Sequence, residues 1–435
     1  MKTMRATAAL ATVCSLTLLA GCDLPGGANL FGNNKDKETE TSTPAAQKPS
    51  EQKKEFDTGD WPTEPAKPFG KTSDETIIEY ETARLLEHVV LPFEVDPKVS
   101  DVNPMPNPLF SAGALNAVID EQSAELAENN NFLYGSRISA SIPKAQATDG
   151  EKTINTHVLR FLSPEDAQKF AEQVHQHLTT TGVTFLPDDP LDPSTPITIP
   201  ELANSFASTH EMSLLDDGSD TTESINVFVP HDEYVLYFWA DAPAGNTEWL
   251  TTMATEAVNQ QKPRIDQFQA VKTVDGVGEI EGPFELDKEK LRIYALPSKR
   301  EEGKHSFAGV FGPRGVAANS YGAQETLTLL NDAGATHTAV DESSVTRASN
   351  EFAAQQLWSG HISHMLNMGW EVYDEPQGVP DTKCVTKQTT LGQRNNCFIL
   401  KDNYVGETYG EDQKELTKAT AAQYMILQKA ESGKK

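Results

Sequence analysis

Residues 157–178, HVLRFLSPEDAQKFAEQVHQHL, read as a β-strand that turns directly into an amphipathic helix, and this unit decides the fold class. Residues 157–162 are mostly apolar, as a strand against a buried layer requires. Ser163 is a natural helix N-cap, and Pro164 suits the first helical position, where its missing N–H is not needed. Glu165 and Asp166 then lie at the positive end of the helix dipole. Ala167, Phe170, Ala171, Val174 and Leu178 recur at helical spacing, giving one apolar stripe for a sheet to cover.

Outward from this unit, residues 136–142 alternate as a strand and residues 112–128 carry a helical pattern. A further helix starts at Thr72 and Ser73, carries Ile77, Ile78, Leu85, Leu86, Val89 and Val90 on one side, and stops at Pro92. Downstream, a Pro-rich loop over 187–200 precedes two strands separated by the polar turn 216–223, a strand at 234–239 and a helix over 247–261. The same order then recurs. Val345, Arg347, Ser349, Glu351 and Ala353 echo Val158, Arg160, Ser163, Glu165 and Ala167 with a single gap, and the following helix carries Phe352, Leu357, Trp358, Ile362, Met365 and Leu366. A strand pair around Cys384 and Cys397 and a helix over 411–429 close the chain. The fold class read from this is α+β, in two related halves of antiparallel strands packed on helices.

The N-terminus reads as an address. Lys2 and Arg5 precede an apolar run over 6–20, shorter than the roughly 20 residues a spanning helix needs. Leu19, Ala20, Gly21 and Cys22 follow in lipobox spacing, with small residues at the Gly21–Cys22 cleavage bond and a thiol to accept a diacylglyceryl group. Residues 1–21 are therefore read as a lipoprotein signal peptide. Two acyl chains on Cys22 suffice for stable anchoring at the extracytoplasmic face of the cell membrane. Residues 22–73 are Gly, Pro, Ser, Thr, Lys and Glu with few large apolar side chains, and read as a disordered tether of about 40 Å end to end. The remaining boundaries are a first α+β domain at 74–275, a connector at 276–304 and a second α+β domain at 305–431.

The full chain of 435 residues carries 64 acidic and 36 basic side chains, a formal charge of −28. Losing Lys2 and Arg5 with the signal takes the −28 to −30. That excess disfavours nucleic acid and anionic surfaces as partners. Of the four cysteines, Cys14 leaves with the signal and Cys22 takes lipid, so Cys384 and Cys397 remain to pair in an oxidising compartment. Gly392, near their midpoint, can turn the chain so that two antiparallel strands bring them face to face.

Trp61, Pro62, Thr63 and Pro65, the run 84–90 leading into Pro92, Glu94, Val95, Asp96 and Pro97, and Lys262, Pro263, Arg264, Ile265, Asp266 and Phe268 carry a resemblance. With Cys384, Cys397 and the ending Ala422, Gln423, Tyr424 and Met425, they resemble a domain-of-unknown-function family of lipoproteins from mycolic-acid-containing actinobacteria. The resemblance covers nearly all of the mature body, implies location and architecture, and brings no activity with it. The strand-to-helix units and late cysteine pair are more loosely similar to extracellular sensor modules of actinobacterial kinases, which implies ligand sensing.

No stretch of the sequence has the Gly-x-Ser-x-Gly pattern of a hydrolase elbow; Ser359, Gly360 and His361 only imitate it inside a helix. His361 and His364 share a helix face at i and i+3, His175 and His177 do not, and His210 with Glu211 begins a zincin pattern that Leu214 breaks. Asp216, Asp217, Asp220 and Glu223 lack the spacing of a calcium loop and read as an acidic hairpin turn. Gly309, Gly312 and Gly315 surround Pro313 without the signals of a phosphate loop, and Trp239, Trp249, Trp358 and Trp370 read as core.

No catalytic, cofactor or metal residues are therefore assigned. The chain is read as a non-enzymatic ligand-binding or cell-envelope assembly protein, with an envelope lipid, glycan or protein as partner. The alternative is an envelope hydrolase using dispersed carboxylates. Any ligand is expected between the halves, with the polar connector allowing motion. Cys22→Ala should abolish incorporation of radiolabelled fatty acid, since no other thiol stands at a processing site; a mutant that still takes label would refute the lipid assignment.

Overall fold

A computed structural model describes residues 56–102, 108–183, 192–213, 221–272, 277–298, 308–389 and 392–430, all within one compact unit, 54–435. The signal peptide, Cys14, Gly21, Cys22, most of the expected tether and the acidic residues Asp216, Asp217 and Asp220 lie outside them.

The first half runs α1 (Ile77–Leu85), α2 (Pro92–Val95), β1 (Asp101–Val102), β2 (Pro108–Leu109), α3 (Glu121–Asn129), β3 (Phe132–Ser141), β4 (Thr153–Phe161) and α4 (Pro164–Thr180). It continues through β5 (Thr195–Ile197), β6 (Phe206–Ser213), β7 (Thr221–His231), β8 (Tyr234–Pro243) and α5 (Thr247–Ile265). Its antiparallel sheet has the order β1-β3-β4-β8-β7-β6-β5, with β2 also on β3. Strand β4 lies inside this sheet and is buried on both faces, so its polar–apolar alternation is lost and it starts four residues earlier than the pattern of 157–162 suggests. Leu159, Phe161, Phe228 and Tyr237 pack under Ala167, Phe170 and Val174 of α4. Val158, Ile225, Leu236 and Phe238 pack under Leu250, Ala254 and Val258 of α5 on the other face.

The second half runs β9 (Gly309–Phe311), α6 (Pro313–Ala317), α7 (Ala323–Asp332), β10 (Thr338–Val340), β11 (Ser343–Arg347) and α8 (Glu351–Asn367). Then come β12 (Glu371–Tyr373), β13 (Thr382–Thr389), β14 (Gly392–Lys401), β15 (Tyr404–Gly410) and α9 (Gln413–Leu427). The sheet order is β12-β13-β14-β15-β11-β10-β9. Val345, Ile399 and Tyr404 face Ala419, Ala422 and Ile426 of α9. Val405 faces α7 and α8, joining Leu330, Ala354 and Leu357. Cys384 pairs directly opposite Cys397 across β13 and β14 and is bridged to it, with Cα atoms 4.0 Å apart.

The two sheets share one topology. The path β3-β4-β8-β7-β6-β5 matches β10-β11-β15-β14-β13-β12 strand for strand, with a helix after the second strand on one face and a closing helix on the other. Helices α4 and α8 are both 17 residues long, capped by Ser163, which accepts from Asp166 N, and by Asn350, which accepts from Ala353 N. Asn350 rather than Ser349 is thus the partner of Ser163. Val158, Arg160, Ser163, Ala167, Phe170, Val174 and Leu178 then fall on Val345, Arg347, Asn350, Ala354, Leu357, His361 and Met365 at constant separation, and the gap of the sequence comparison disappears.

Other expectations shift for local reasons. The helix read from Thr72 begins at Ile77 and ends at Leu85, followed by a 3-10 turn; Val89 and Leu91 are extended, the Val90 N–H is taken by Gln261 Oε1 at 2.9 Å, and Pro92 opens α2 instead of ending α1. The pattern over 112–128 is broken near Val118, because Asp120 caps a new helix by accepting from Ser123 N at 2.8 Å. Residues 56–73, expected as the end of the tether, lie on the second half: Phe56 meets Tyr424 edge to face at 5.8 Å, and Ala66 N–H donates to Ile293 O at 2.8 Å. In the connector, Leu291 and Leu296 are buried and the Asp287 carboxylate accepts the N–H groups of Leu291, Arg292 and Ile293, so its described part is packed against the fold.

Arg314 joins the halves. Its guanidinium grips both oxygens of Glu94 at 2.8 Å and donates to the carbonyls of Glu87 and Val89. The Glu87 carboxylate in turn accepts the N–H groups of Arg314 and Gly315. A Cβ at Gly312 or Gly315 would fall 2.5 or 2.7 Å from Glu87, so these glycines are required by its close approach. The glycines that lack a phosphate-loop context cradle a carboxylate from the other half.

Burial, then the nearby Arg137 charge, pushes the His157 pKa down to about 3, against an ordinary 6.5. The unfolded chain therefore binds one more proton between those values, and stability falls as pH drops through the window, by about 1.4 kcal/mol per pH unit. His157→Phe should flatten the plot of unfolding free energy against pH by about that slope; a variant with the wild-type slope would contradict it.

Candidate functional site

Strand pairing lays one row of side chains across each sheet, on the face under α4 or α8. In the first half the row is His157, Tyr237 and Phe228. Their rings stack, His157 on Tyr237 at 4.5 Å and Phe228 on Tyr237 at 4.4 Å, and all are buried. The same positions in the second half hold Ser344, Glu407 and Phe398. Two rings are replaced by a hydroxymethyl group and a carboxylate, and His361 stands on α8 where Val174 fills the α4 interface. Protein interiors close voids of this kind. Here the space remains open as a cavity of about 760 Å³ between α7, α8 and the sheet, to which Pro108 and Phe110 of the first half also contribute.

The floor is polar. Asn396 Nδ2 donates to Glu407 Oε1 at 2.5 Å, and Ser344 Oγ approaches Oε2 at 3.5 Å. Burial raises the Glu407 pKa, while the Asn396 and Ser344 donors lower it in part. Thr338 and Thr346 bond each other at 2.8 Å. His361 stacks flat on Phe398 at 5.8 Å, and burial, then the neighbouring His364, lowers its pKa to about 4, so its imidazole is neutral near pH 7. His364 Nε2 lies 3.2 Å from Tyr321 O. Tyr409 is raised by burial, then by the Glu407 charge, and its hydroxyl donates to Asp341 O. Arg394 is ion-paired to Glu411 at 2.5 Å. Met365, Trp370, Tyr321 and Val340 supply apolar wall. This arrangement can bind an amphiphilic molecule: it offers acceptors below and rings around, within the usual volume of a ligand pocket.

Of the residues singled out in sequence, His361, His364 and Trp370 meet at this cavity. Ser359 Oγ donates to Gln356 O on the helix surface. His177 pairs with Asp120 at 2.8 Å, and burial lowers the His175 pKa. Glu223 is buried and accepts from Thr247 Oγ1 at the start of α5, a structural role. Trp249 donates to Asp96, and Trp358 to Phe398 O. His231, Asp232 and Asp266 bring ligand atoms within 4.8 Å of one another, a grouping invisible in sequence because the third member, Asp266, follows α5. They lie on open surface and His231 is already bonded to Asp266 at 2.6 Å; three such groups fall short of a closed metal site. Ser344, Asn396 and Glu407 carried no sequence signal. The comparison of Tyr237 with Glu407, once the halves are aligned, is what exposes them.

No curated protein matches the chain. Among solved structures, the extracellular domain of PknH from Mycobacterium tuberculosis is 10% identical and covers 45% of this chain and 98% of its own, at a TM-score of 0.27. DynU16, from the dynemicin biosynthetic locus, is 8% identical and covers 67% and 96%, at a TM-score of 0.11. Neither likeness bears on the cavity. Two family models do match, the N-terminal domain of unknown function DUF7373 over residues 68–277 and its C-terminal counterpart over 291–430, one on each half of the fold. The chain belongs to the DUF7373 family.

Proposed function

We propose that this is a lipid-anchored, extracytoplasmic binding protein of an actinobacterial envelope that holds a small molecule in the second-half cavity. The anchor rests on the lipobox ending at Cys22 and on the run of 6–20, and among the described residues no helix is long and apolar enough to cross a membrane. The observation that carries the binding role is the open row Ser344, Glu407 and Phe398 at positions that the first half fills with stacked rings. One framework is packed shut in one copy and open in the other, which a general packing shortfall would not produce.

The hydrolase alternative needs two carboxyl groups about 5 to 10 Å apart across a cleft. Among the described lining residues Glu407 is the one carboxylate, which favours binding. The site is formed mainly by the second half, and the first half contributes Pro108 and Phe110 to its lining.

Native mass spectrometry of protein taken from its own membrane should show a noncovalent adduct beyond the acylated chain. Ser344→His with Glu407→Tyr, which restores the first-half row, and separately Thr346→Leu, which copies Leu159, should remove or weaken it while the chain stays folded. An adduct unchanged in both folded variants, or none in wild type, would overturn the assignment.

A further inference from the structure

We infer that the cavity selects an organic cation, an ammonium group on an apolar body, with the charged nitrogen seated on Glu407. This rests on the binding role proposed above and names its ligand class.

Glu407 is a carboxylate turned into the cavity with neutral partners only, the Asn396 amide and the Ser344 hydroxyl. A carboxylate accepts more hydrogen bonds than these two supply. Keeping its charge away from water is costly unless a cation comes to it. Burial indeed works against ionisation here. Of the basic groups lining the cavity, Arg394 is turned to Glu411, His364 to the Tyr321 carbonyl, and His361 is uncharged near pH 7. An ammonium ion entering the cavity would meet, among the described lining residues, one carboxyl group, Glu407, with no cation paired to it.

The walls fit the same ligand. Phe398, Trp370, Tyr321 and Tyr409 surround the space. Aromatic faces attract cations, more strongly where water is displaced. An anion would instead have to approach Glu407 against repulsion, and a wholly apolar molecule would bury the carboxylate unpaired. The formal charge of −28 adds a long-range field that draws cations to the protein and repels anions.

The test uses the acylated mature chain in a nonionic detergent, titrated by calorimetry with 2-phenylethylammonium and with 2-phenylethanol, which has nearly the same shape and no charge. Wild type should prefer the ammonium by about tenfold or more, the scale of a desolvated cation on rings and carboxylate. Glu407→Gln, of the same shape, should lose that preference and bind the two probes with equal affinity, with a melting temperature no lower than that of wild type. Equal affinity of wild type for both probes, or a preference that persists in Glu407→Gln, overturns the cation inference and leaves the binding role standing. Binding of neither probe at millimolar concentration counts against the cavity as a ligand site and against both readings.

Discussion

Everything distinctive about this molecule follows from how one row of three side chains covers a sheet. A helix laid on a sheet leaves a gap wherever facing side chains are too small to meet. Under α4, the stacked rings of His157, Tyr237 and Phe228 close that gap. Under α8, Ser344 and Glu407 are too short to reach across, and the helix stays in place because Ala354, Leu357, Ile362 and Met365 pack around the opening. The polar floor is stable for the same reason that it is useful: Glu407 is partly satisfied by Asn396 and keeps capacity for a visitor.

The rest of the chain holds that opening in shape. Helix α6 is pinned to the first half through the Glu87 carboxylate and the fork of Arg314 on Glu94, and α6 leads directly into α7, a wall of the cavity. Bidentate pairing of this kind fixes orientation as well as distance. Residues 56–73 and the buried part of the connector tie down the α9 face, where Gln423 Nε2 donates to Tyr294 O and Oε1 accepts from Ser343 Oγ. The Cys384–Cys397 bridge fastens β13 to β14 beside the same layer. The space therefore sits among elements fixed on both sides, which spares a ligand the cost of ordering them.

The sequence disclosed this architecture unevenly, for physical reasons. The strand-to-helix unit at 157–178 was legible because Ser163, Pro164 and the acids after them are local signals, and the cysteine pairing because two thiols stood alone once Cys14 and Cys22 were read as signal and lipid site. The duplication was visible only in outline, since Asn350 caps as well as Ser163 but is a different residue. The helix over 72–91 was misjudged because Gln261, distant in sequence, takes the Val90 N–H. The cavity was least legible. Ser344 and Glu407 are ordinary strand residues until the register puts them where His157 and Tyr237 stand in the other half.

A crystal structure of the protein isolated from its own cells decides most directly whether the open row is a binding site. It should show continuous non-protein density above Glu407, between α8 and the sheet, with His157, Tyr237 and Phe228 still stacked in the first half. Side chains of the second half collapsed into the space, or density bound elsewhere while ordered water alone fills the cavity, would contradict it.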